Sequence, residues 1–248
     1  MNWPDGYDRI VLDQTDSTNA EAARRARTLL GPTWILALTQ TAARGRRGRA
    51  WSMQPGNFAA TLALRPAETA ETVALRSFVA ALSLYDAFVA VTGRTDSFSL
   101  KWPNDVLLNG GKVAGILLES IGRGAHLDHL AIGIGVNLAA SPTQSDVEDR
   151  ALRPVSIKEE TGVVVSPEEF LTHLAQSYAE WEAQFTTHGF APIKAAWLAR
   201  ATRLGQVITA RTGTEDVTGT FETVDITGAL VITTPKGRRT IPAAEIYF

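Results

Sequence analysis

Short apolar runs, separated by turn residues and polar segments, divide the first part of the chain. Strands are predicted over residues 9–12, 34–39 and 57–64, where the runs have the length and apolar character of buried strands. Thr18 followed by Glu21 forms a capping-box pattern, which predicts a helix that begins there and ends before Gly31-Pro32.

The middle of the chain has one long segment with apolar residues at helical spacing, followed by shorter segments of strand length. Apolar residues at helical spacing predict a helix over residues 71–91, closed by Gly93. Turn residues then separate runs that predict an antiparallel meander, with strands over residues 98–102, 106–108, 112–121 and 126–136. Two more helices are predicted over residues 167–187 and 191–201.

The pattern changes after Leu204-Gly205 to short strands separated by Gly and Asp turns, which suits a small barrel. These strands are predicted over residues 206–210, 216–223, 230–234 and 239–241. We therefore predict an α+β protein with two domains. Residues 1–203 form a mixed, mainly antiparallel sheet packed with helices, and residues 204–248 form the small C-terminal β-barrel.

The composition excludes several classes of function but says little about the fold. The chain has 248 residues, a formal net charge of −2 and no cysteine. No overall field attracts nucleic acid or anionic lipid, and thiolate nucleophiles, disulfides and zinc–thiolate sites are excluded. We find no secretory signal and no run of membrane-span length, so we expect a cytoplasmic protein that binds neither DNA nor membrane.

The first candidate site is a loop with four arginines and two glycines between Gln40 and Trp51. Guanidinium groups match carboxylate and phosphate oxygens, and glycines let backbone approach a ligand closely. The loop follows a buried strand, which favours an anion site over the alternative, a solvated basic surface loop. It is neither a Walker P-loop nor a dinucleotide fingerprint.

Further candidates follow in the meander. A turn fixed by Pro103 carries Asn104 and Asp105, and Lys112 comes at the mouth of a hairpin; each could be an ordinary turn residue. Glycines inside apolar strands, Gly115, Gly133 and Gly135, often mark the close approach of a ligand, so we predict a slot for a flat molecule. Residues 139–154 lack periodicity and predict a mobile loop over the site.

Together these motifs resemble the biotin–protein ligases over essentially the whole chain. The resemblance rests on the segments around Asp16–Asn19, Arg44–Trp51, Lys101–Asp105 and Lys112–Leu117, and on Gly133, Gly135 and Asn137, in that order. It implies a class II synthetase-like catalytic domain with an SH3-like barrel. It also implies a ligase that uses ATP to make biotinyl-5′-adenylate, with Mg²⁺, and transfers biotin to a lysine of a biotin carboxyl carrier protein.

The resemblance also implies a role for each matched residue. Lys112, Arg46 and Asp105 are the implied catalytic residues. The implied biotin-binding residues are Ser17, Thr18, Asn19, Gln40, Arg44, Gly45, Arg46, Lys112 and Gly115. Those implied for ATP are Arg44, Arg46, Arg49, Trp51, Asn104, Lys112 and Asn137. Asp105 is the candidate to orient or deprotonate the acceptor lysine, and a homodimer is an open possibility.

Two departures from the family pattern are visible. Ala43 stands where the family usually has a glycine, which would stiffen the loop slightly. The catalytic pattern begins close to Met1, so the chain resembles the ligase-only type without a DNA-binding helix-turn-helix.

Two alternative functions remain. A lipoate or octanoate ligase would run similar chemistry, but the thin strands favour biotin over a flexible acyl chain. A nucleic-acid-binding module could use the arginine loop and the barrel, but the chain is slightly acidic and has no second basic stripe.

Overall fold

The computed structural model describes residues 2–121, 128–143 and 152–248. Its first sheet has seven strands, in the spatial order β1-β2-β3-β7-β6-β5-β4. The strands are β1 (Asp8–Thr15), β2 (Thr33–Gln40), β3 (Phe58–Leu64), β4 (Phe98–Lys101), β5 (Asp105–Leu108), β6 (Gly111–Ile121) and β7 (His129–Val136). Only β1 and β2 are parallel neighbours, so the mixed, mainly antiparallel sheet is confirmed.

Six helices accompany this sheet in the described ranges. They are α1 (Thr18–Arg25), α2 (Ala70–Ala74), α3 (Arg76–Thr92), α4 (Ile157–Thr161), α5 (Pro167–His188) and α6 (Phe190–Leu198). The helix predicted over 71–91 is two helices that meet at Leu75, and α1 ends at Arg25 rather than near residue 30. Helix α4, capped by Ser156, was not predicted.

The two faces of the sheet have different roles. One face packs against α3 and α5 through buried aromatic side chains, including the edge-to-face pair of Phe58 and Phe170 at 5.1 Å between ring centroids. The other face carries Ile35, Ala63 and Ala131 against Ala22 of α1. Because side chains alternate across a strand, Thr61 of β3 and the glycines of β7 also lie on this second face.

The C-terminal strands form a separate antiparallel sheet in the order β11-β10-β9-β8-β12, which agrees with the predicted barrel. They are β8 (Val207–Arg211), β9 (Asp216–Val224), β10 (Leu230–Thr234), β11 (Gly237–Ile241) and β12 (Glu245–Tyr247). The last strand was not predicted. The division at residue 203 stays a prediction.

The barrel contacts the first sheet at the end of β4. The indole of Trp102 donates a 3.0 Å hydrogen bond to Gly228 O of the barrel, and Leu100 exchanges backbone hydrogen bonds of 2.8 Å with Arg200 and Thr202, which immediately precede the barrel. The Trp102–Pro103 peptide bond is cis. The barrel therefore lies beside the turn that carries Asn104 and Asp105.

The expectation that no run has the length of a membrane span is wrong for one segment. Ala70–Thr92 is long and apolar enough by length and composition, although 67% of its most apolar window is buried in the fold. This is the behaviour of a core helix, since α3 packs against both the sheet and α5.

Candidate active site

A cavity of about 580 Å³ opens between the second face of the sheet, the arginine loop and strand β12 of the barrel. All fourteen residues that the sequence singled out line it: Ser17, Thr18, Asn19, Gln40, Arg44, Gly45, Arg46, Arg49, Trp51, Asn104, Asp105, Lys112, Gly115 and Asn137. The fold therefore brings together segments that lie far apart along the chain. Their individual roles remain proposals.

One end of the cavity is formed by the start of α1 and the end of β2. Gln40 Oε1 accepts hydrogen bonds from the backbone N of Thr18 at 2.7 Å and from its hydroxyl at 3.2 Å. The predicted capping box at Thr18 is wrong, because Ser17 is the N-cap residue and Glu21 pairs with Arg24 and Arg25 instead. Thr18 is thus free to face the cavity.

Polar groups without protein partners remain at this end. Within the described residues, the Ser17 hydroxyl makes no hydrogen bond and Gln40 Nε2 contacts only the Met53 thioether at 3.8 Å. A planar ligand with both donors and acceptors could therefore use these two groups.

The glycines of the predicted slot lie where β6 and β7 pair, with Trp51 and Asn19 packed against them; a slot for a flat molecule stays a prediction. Gly115 lies directly opposite Gly135, and Leu117 opposite Gly133. A Cβ at Gly135 would lie 2.7 Å from Trp51 Cε2, and one at Gly133 would overlap the Asn19 amide. Only glycine permits these side chains to approach the strands so closely.

The arginine loop is a small hairpin. Gly45 N donates to Arg49 O at 2.7 Å and Trp51 N to Ala43 O at 3.0 Å, around a 3₁₀ turn at Arg46–Gly48. Ala43 contributes its carbonyl and does not adopt a left-handed backbone conformation. The position therefore has no conformational need for the family's usual glycine.

Carboxylates hold three of the four arginines of this hairpin. Arg44 pairs with Glu119 at 3.3 Å, while Arg47 and Arg49 pair with Glu245 of the barrel at 3.2 and 2.5 Å. Arg46 has no carboxylate within ion-pair distance among the described residues, and it donates a 3.4 Å hydrogen bond to Asn104 Oδ1. Burial lowers the pKa of Arg46, because the guanidinium is partly desolvated and no carboxylate in the described structure lies within ion-pair distance of it.

A second cationic group surrounds Asp105. Lys112 Nζ lies 2.7 Å from Asp105 Oδ1, and Lys101 Nζ lies 3.6 Å from Oδ2. Burial alone would raise the pKa of Asp105, but the two ammonium groups outweigh it and hold the pKa below its ordinary value. Burial also lowers the pKa of Lys101, partly offset by Asp105. Asp105 is therefore ionised near neutral pH.

Two amides complete the cavity near these charges. Asn104 Nδ2 donates to Ile116 O at 2.6 Å, and Asn137 Nδ2 donates to Val155 O at 3.0 Å. Asn137 Oδ1 is buried and has no hydrogen-bond partner among the described residues. A buried acceptor of this kind is costly unless a ligand donates to it.

The predicted mobile loop over 139–154 is only partly described, since residues 144–151 lie outside the described ranges. Its first residues are held by Asn57, whose Oδ1 accepts hydrogen bonds from Ala139 N at 2.9 Å and Ala140 N at 3.1 Å. Its end pairs with the backbone of Lys112 through Arg153 and Val155. Both ends of this loop therefore lie beside the cavity. Its mobility stays a prediction.

Sequence reasoning missed the carboxylates that hold the hairpin. Glu119 is a charged residue on a largely apolar strand, which was a usable signal. Glu245 gave no signal, because its arginine partners belong to the other domain.

This fold and cavity are those of a protein–cofactor ligase, and the chain belongs to the biotin/lipoate A/B protein ligase family. The profile of that family matches residues 11–137, and that of the biotin protein ligase C-terminal domain matches residues 204–248.

Individual relatives agree with this family. The chain is 57% identical, over 96% of its length and 99% of the relative, to a biotin–[acetyl-CoA-carboxylase] ligase of Paracoccus denitrificans. It is 31% identical, over 95% of its length and 71% of the relative, to the bifunctional ligase/repressor BirA of Bacillus subtilis. The Aquifex aeolicus biotin protein ligase in complex with biotin and ATP has a TM-score of 0.83 at 29% identity, covering 96% and 97% of the two chains.

Proposed function

We propose that the chain is an ATP-dependent ligase that activates biotin as biotinyl-5′-adenylate and transfers it to a lysine of a biotin carboxyl carrier protein. The observation that supports this most directly is the position of Arg46. It is a partly buried cation without a carboxylate partner in the described structure, and it shares one cavity with Lys112 and the glycine-walled slot. Two anionic reactants need such unneutralised charge to meet.

The ureido head of biotin is assigned to the end of the cavity formed by Ser17, Thr18, Asn19 and Gln40. Gln40 Nε2, whose one contact in the described structure is the Met53 thioether, would donate to the ureido oxygen, and the Ser17 hydroxyl would complete the contacts. The fused rings would lie along the wall at Gly115, beside Gly45 of the hairpin. This arrangement leaves the carboxylate of biotin facing Lys112.

In the first step, a carboxylate oxygen of biotin attacks the α-phosphorus of ATP, and the bond to the leaving pyrophosphate breaks. Arg44, Arg46, Arg49 and Lys112 are assigned to the biotin carboxylate and the phosphate oxygens. Their charges reduce the repulsion between the reactants and stabilise the charge that develops on the phosphate. Asp105 keeps the Lys112 ammonium in place through their 2.7 Å ion pair.

The adenine is assigned to Asn104, Asn137 and Trp51. The unpartnered Asn137 Oδ1 can accept from the exocyclic amino group of adenine, which is a donor. The Trp51 indole, whose ring centroid lies 5.6 Å from Lys112 Nζ, would shield the adenylate from water.

In the second step, the ε-amine of the acceptor lysine attacks the carbonyl carbon of the mixed anhydride and AMP leaves. The amine must lose a proton before or during this attack. Asp105 is assigned to orient the ammonium and take up its proton transiently, although two neighbouring ammonium groups make this carboxylate a weak base. Because Asp105 is ionised, its main proposed role is to orient the acceptor ammonium.

Mg²⁺ is proposed to arrive with ATP. Two side-chain carboxylates line the cavity in the described structure, and both are neutralised: lysines contact both oxygens of Asp105, and Glu245 pairs with Arg47 and Arg49. The protein donor set therefore fits an ion held by phosphate oxygens and water, as Mg²⁺ usually is. Its charge would offset that of the triphosphate.

A carboxyl carrier protein of acetyl-CoA carboxylase or of another biotin-dependent carboxylase is the proposed partner, in the cytoplasm. A homodimer and the absence of DNA binding are further proposals. Strand β1 is an edge of the seven-stranded sheet, and an edge can pair with a second copy.

The decisive experiment measures pyrophosphate release from ATP with biotin, lipoate or octanoate, followed by transfer to a purified carrier domain. Of these three acids, only biotin should support pyrophosphate release and labelling of the carrier domain. Release with lipoate or octanoate but not with biotin would replace this proposal by the lipoate-ligase alternative.

A further inference from the structure

Glu119 of β6 is outside the cavity lining, yet it contacts two residues that line it. Its Oε2 accepts a 2.6 Å hydrogen bond from Asn19 Nδ2 of α1. The same carboxylate accepts hydrogen bonds of 3.3 Å from Nε and Nη2 of Arg44 in the arginine hairpin. One side chain therefore joins α1 to the hairpin.

These contacts continue through Thr61, whose single hydroxyl proton is shared between two neighbouring oxygens. Thr61 Oγ1 lies 2.6 Å from Asn19 Oδ1 and 2.8 Å from Thr18 Oγ1, and Thr18 in turn donates to Gln40 Oε1. This set of contacts runs from Gln40, at the proposed ureido site, to Arg44.

The Glu119 carboxylate, which accepts from Asn19, determines which way round the Asn19 amide lies. The Asn19 amide can only donate through Nδ2 and only accept through Oδ1, so an ionised acceptor at Glu119 fixes the orientation of the amide. Asn19 is 5% exposed, and a rotated amide would place Oδ1 against Glu119 Oε2 and Leu117 O, which are both acceptors. Arg44 is about half exposed and has no other carboxylate partner in the described chain to hold it above this site.

We propose that Glu119 is a positioning residue that couples the head-group site to the arginine hairpin. It holds Arg44 over the slot only while the Asn19 amide is correctly oriented. A ligand that orders the head-group residues therefore also stabilises the closed hairpin. The inference rests on the proposed function, because biotin is the ligand assigned to that site.

The first test is calorimetric titration of biotin, without ATP, into Glu119→Gln, Arg44→Ala and the double variant. Glutamine keeps an oxygen acceptor for Asn19 and removes the charge opposite Arg44. We expect Glu119→Gln to weaken biotin binding about fivefold, the equivalent of one partly exposed ion pair. In the Arg44→Ala background the same substitution should change affinity by less than about twofold, because its partner is already absent.

The second test needs no ligand. Trypsin cleavage at Arg46, Arg47 and Arg49 in the free protein should become faster in both Glu119→Gln and Arg44→Ala, which break the same contact from opposite sides. Melting temperatures should stay at the value of the unmodified protein. Glu215→Gln is the matched control, because Glu215 forms an exposed ion pair with Arg239 on the barrel.

Unchanged biotin affinity in Glu119→Gln, or an equal loss of affinity with and without Arg44, would overturn the coupling. A lowered melting temperature with unchanged trypsin cleavage would show a structural role instead. If the unmodified protein failed to bind biotin, the proposed function would fall, while the trypsin comparison would still decide whether Glu119 holds the hairpin.

Discussion

Glu245, on the last strand of the barrel, forms ion pairs with both Arg47 and Arg49 of the hairpin, at 3.2 and 2.5 Å. The hydroxyl of Tyr247 donates a 2.8 Å hydrogen bond to the same carboxylate. The barrel thus supplies a counterion to the loop that closes the cavity. This contact gives the second domain a direct part in the site.

Glu245→Gln should release the hairpin from the barrel without unfolding either domain. Partly exposed ion pairs contribute up to about 1 kcal/mol each, so we expect kcat/KM for ATP to fall roughly three- to tenfold. Steady-state pyrophosphate release at saturating biotin measures this. Glu222→Gln, which removes an exposed ion pair with Arg238 on the same barrel, should leave the rate unchanged. Equal rates for both variants would show that the barrel contact is dispensable.

Arg46 and Lys112 are the cations assigned most directly to the reacting groups. Arg46→Ala or Lys112→Ala should lower the rate of adenylate formation by about 10²–10³, the usual effect of removing a preorganised charge from a transition state. Single-turnover pyrophosphate release measures this step apart from transfer.

Arg47→Ala is the control for this pair, because Arg47 is on the same hairpin but does not line the cavity. Its effect should be well below that of Arg46→Ala, with melting temperatures preserved in all three variants. A near-normal rate in Arg46→Ala and Lys112→Ala would remove both assignments.

Gly115 and Gly135 face each other across β6 and β7 but differ in their tolerance of a methyl group. A Cβ would lie 3.4 Å from Trp51 at Gly115 and 2.7 Å at Gly135. Gly135→Ala should therefore displace the Trp51 indole in the free protein and change its fluorescence, whereas Gly115→Ala should leave the free protein unchanged. Both should weaken biotin binding, since both narrow the slot. Identical fluorescence in the two variants would contradict this account.

The sequence predicted the elements that carry the site well, because strand-length apolar runs and glycine spacing are local signals. The cavity-lining glycines Gly115 and Gly135 are an example, since each interrupts an apolar run. The contacts of Glu119 and Glu245 could not be predicted in this way, because they depend on how distant elements meet. Thr18 shows the opposite failure, a local capping pattern overridden by tertiary contacts with Gln40 and Thr61.

A last prediction concerns pH and the start of β7. Arg65 Nε donates a 2.6 Å hydrogen bond to His129 Nε2, which must be unprotonated to accept it. Burial and the Arg65 guanidinium lower the pKa of His129, with a smaller opposing effect from Asp128. The folded state therefore binds this proton less readily than the unfolded chain, whose histidine titrates near about 6.5.

The stability that comes from this contact should be fully present above about pH 6.5 and should decrease as the pH falls towards the lower pKa of the folded state. His129→Asn replaces the imidazole with an amide oxygen that can accept but does not titrate in this range. Urea unfolding at pH 7.5 and at pH 5.5 should show that the unmodified protein loses more stability on acidification than His129→Asn does. Parallel losses in the two proteins would mean that His129 is not the titrating group.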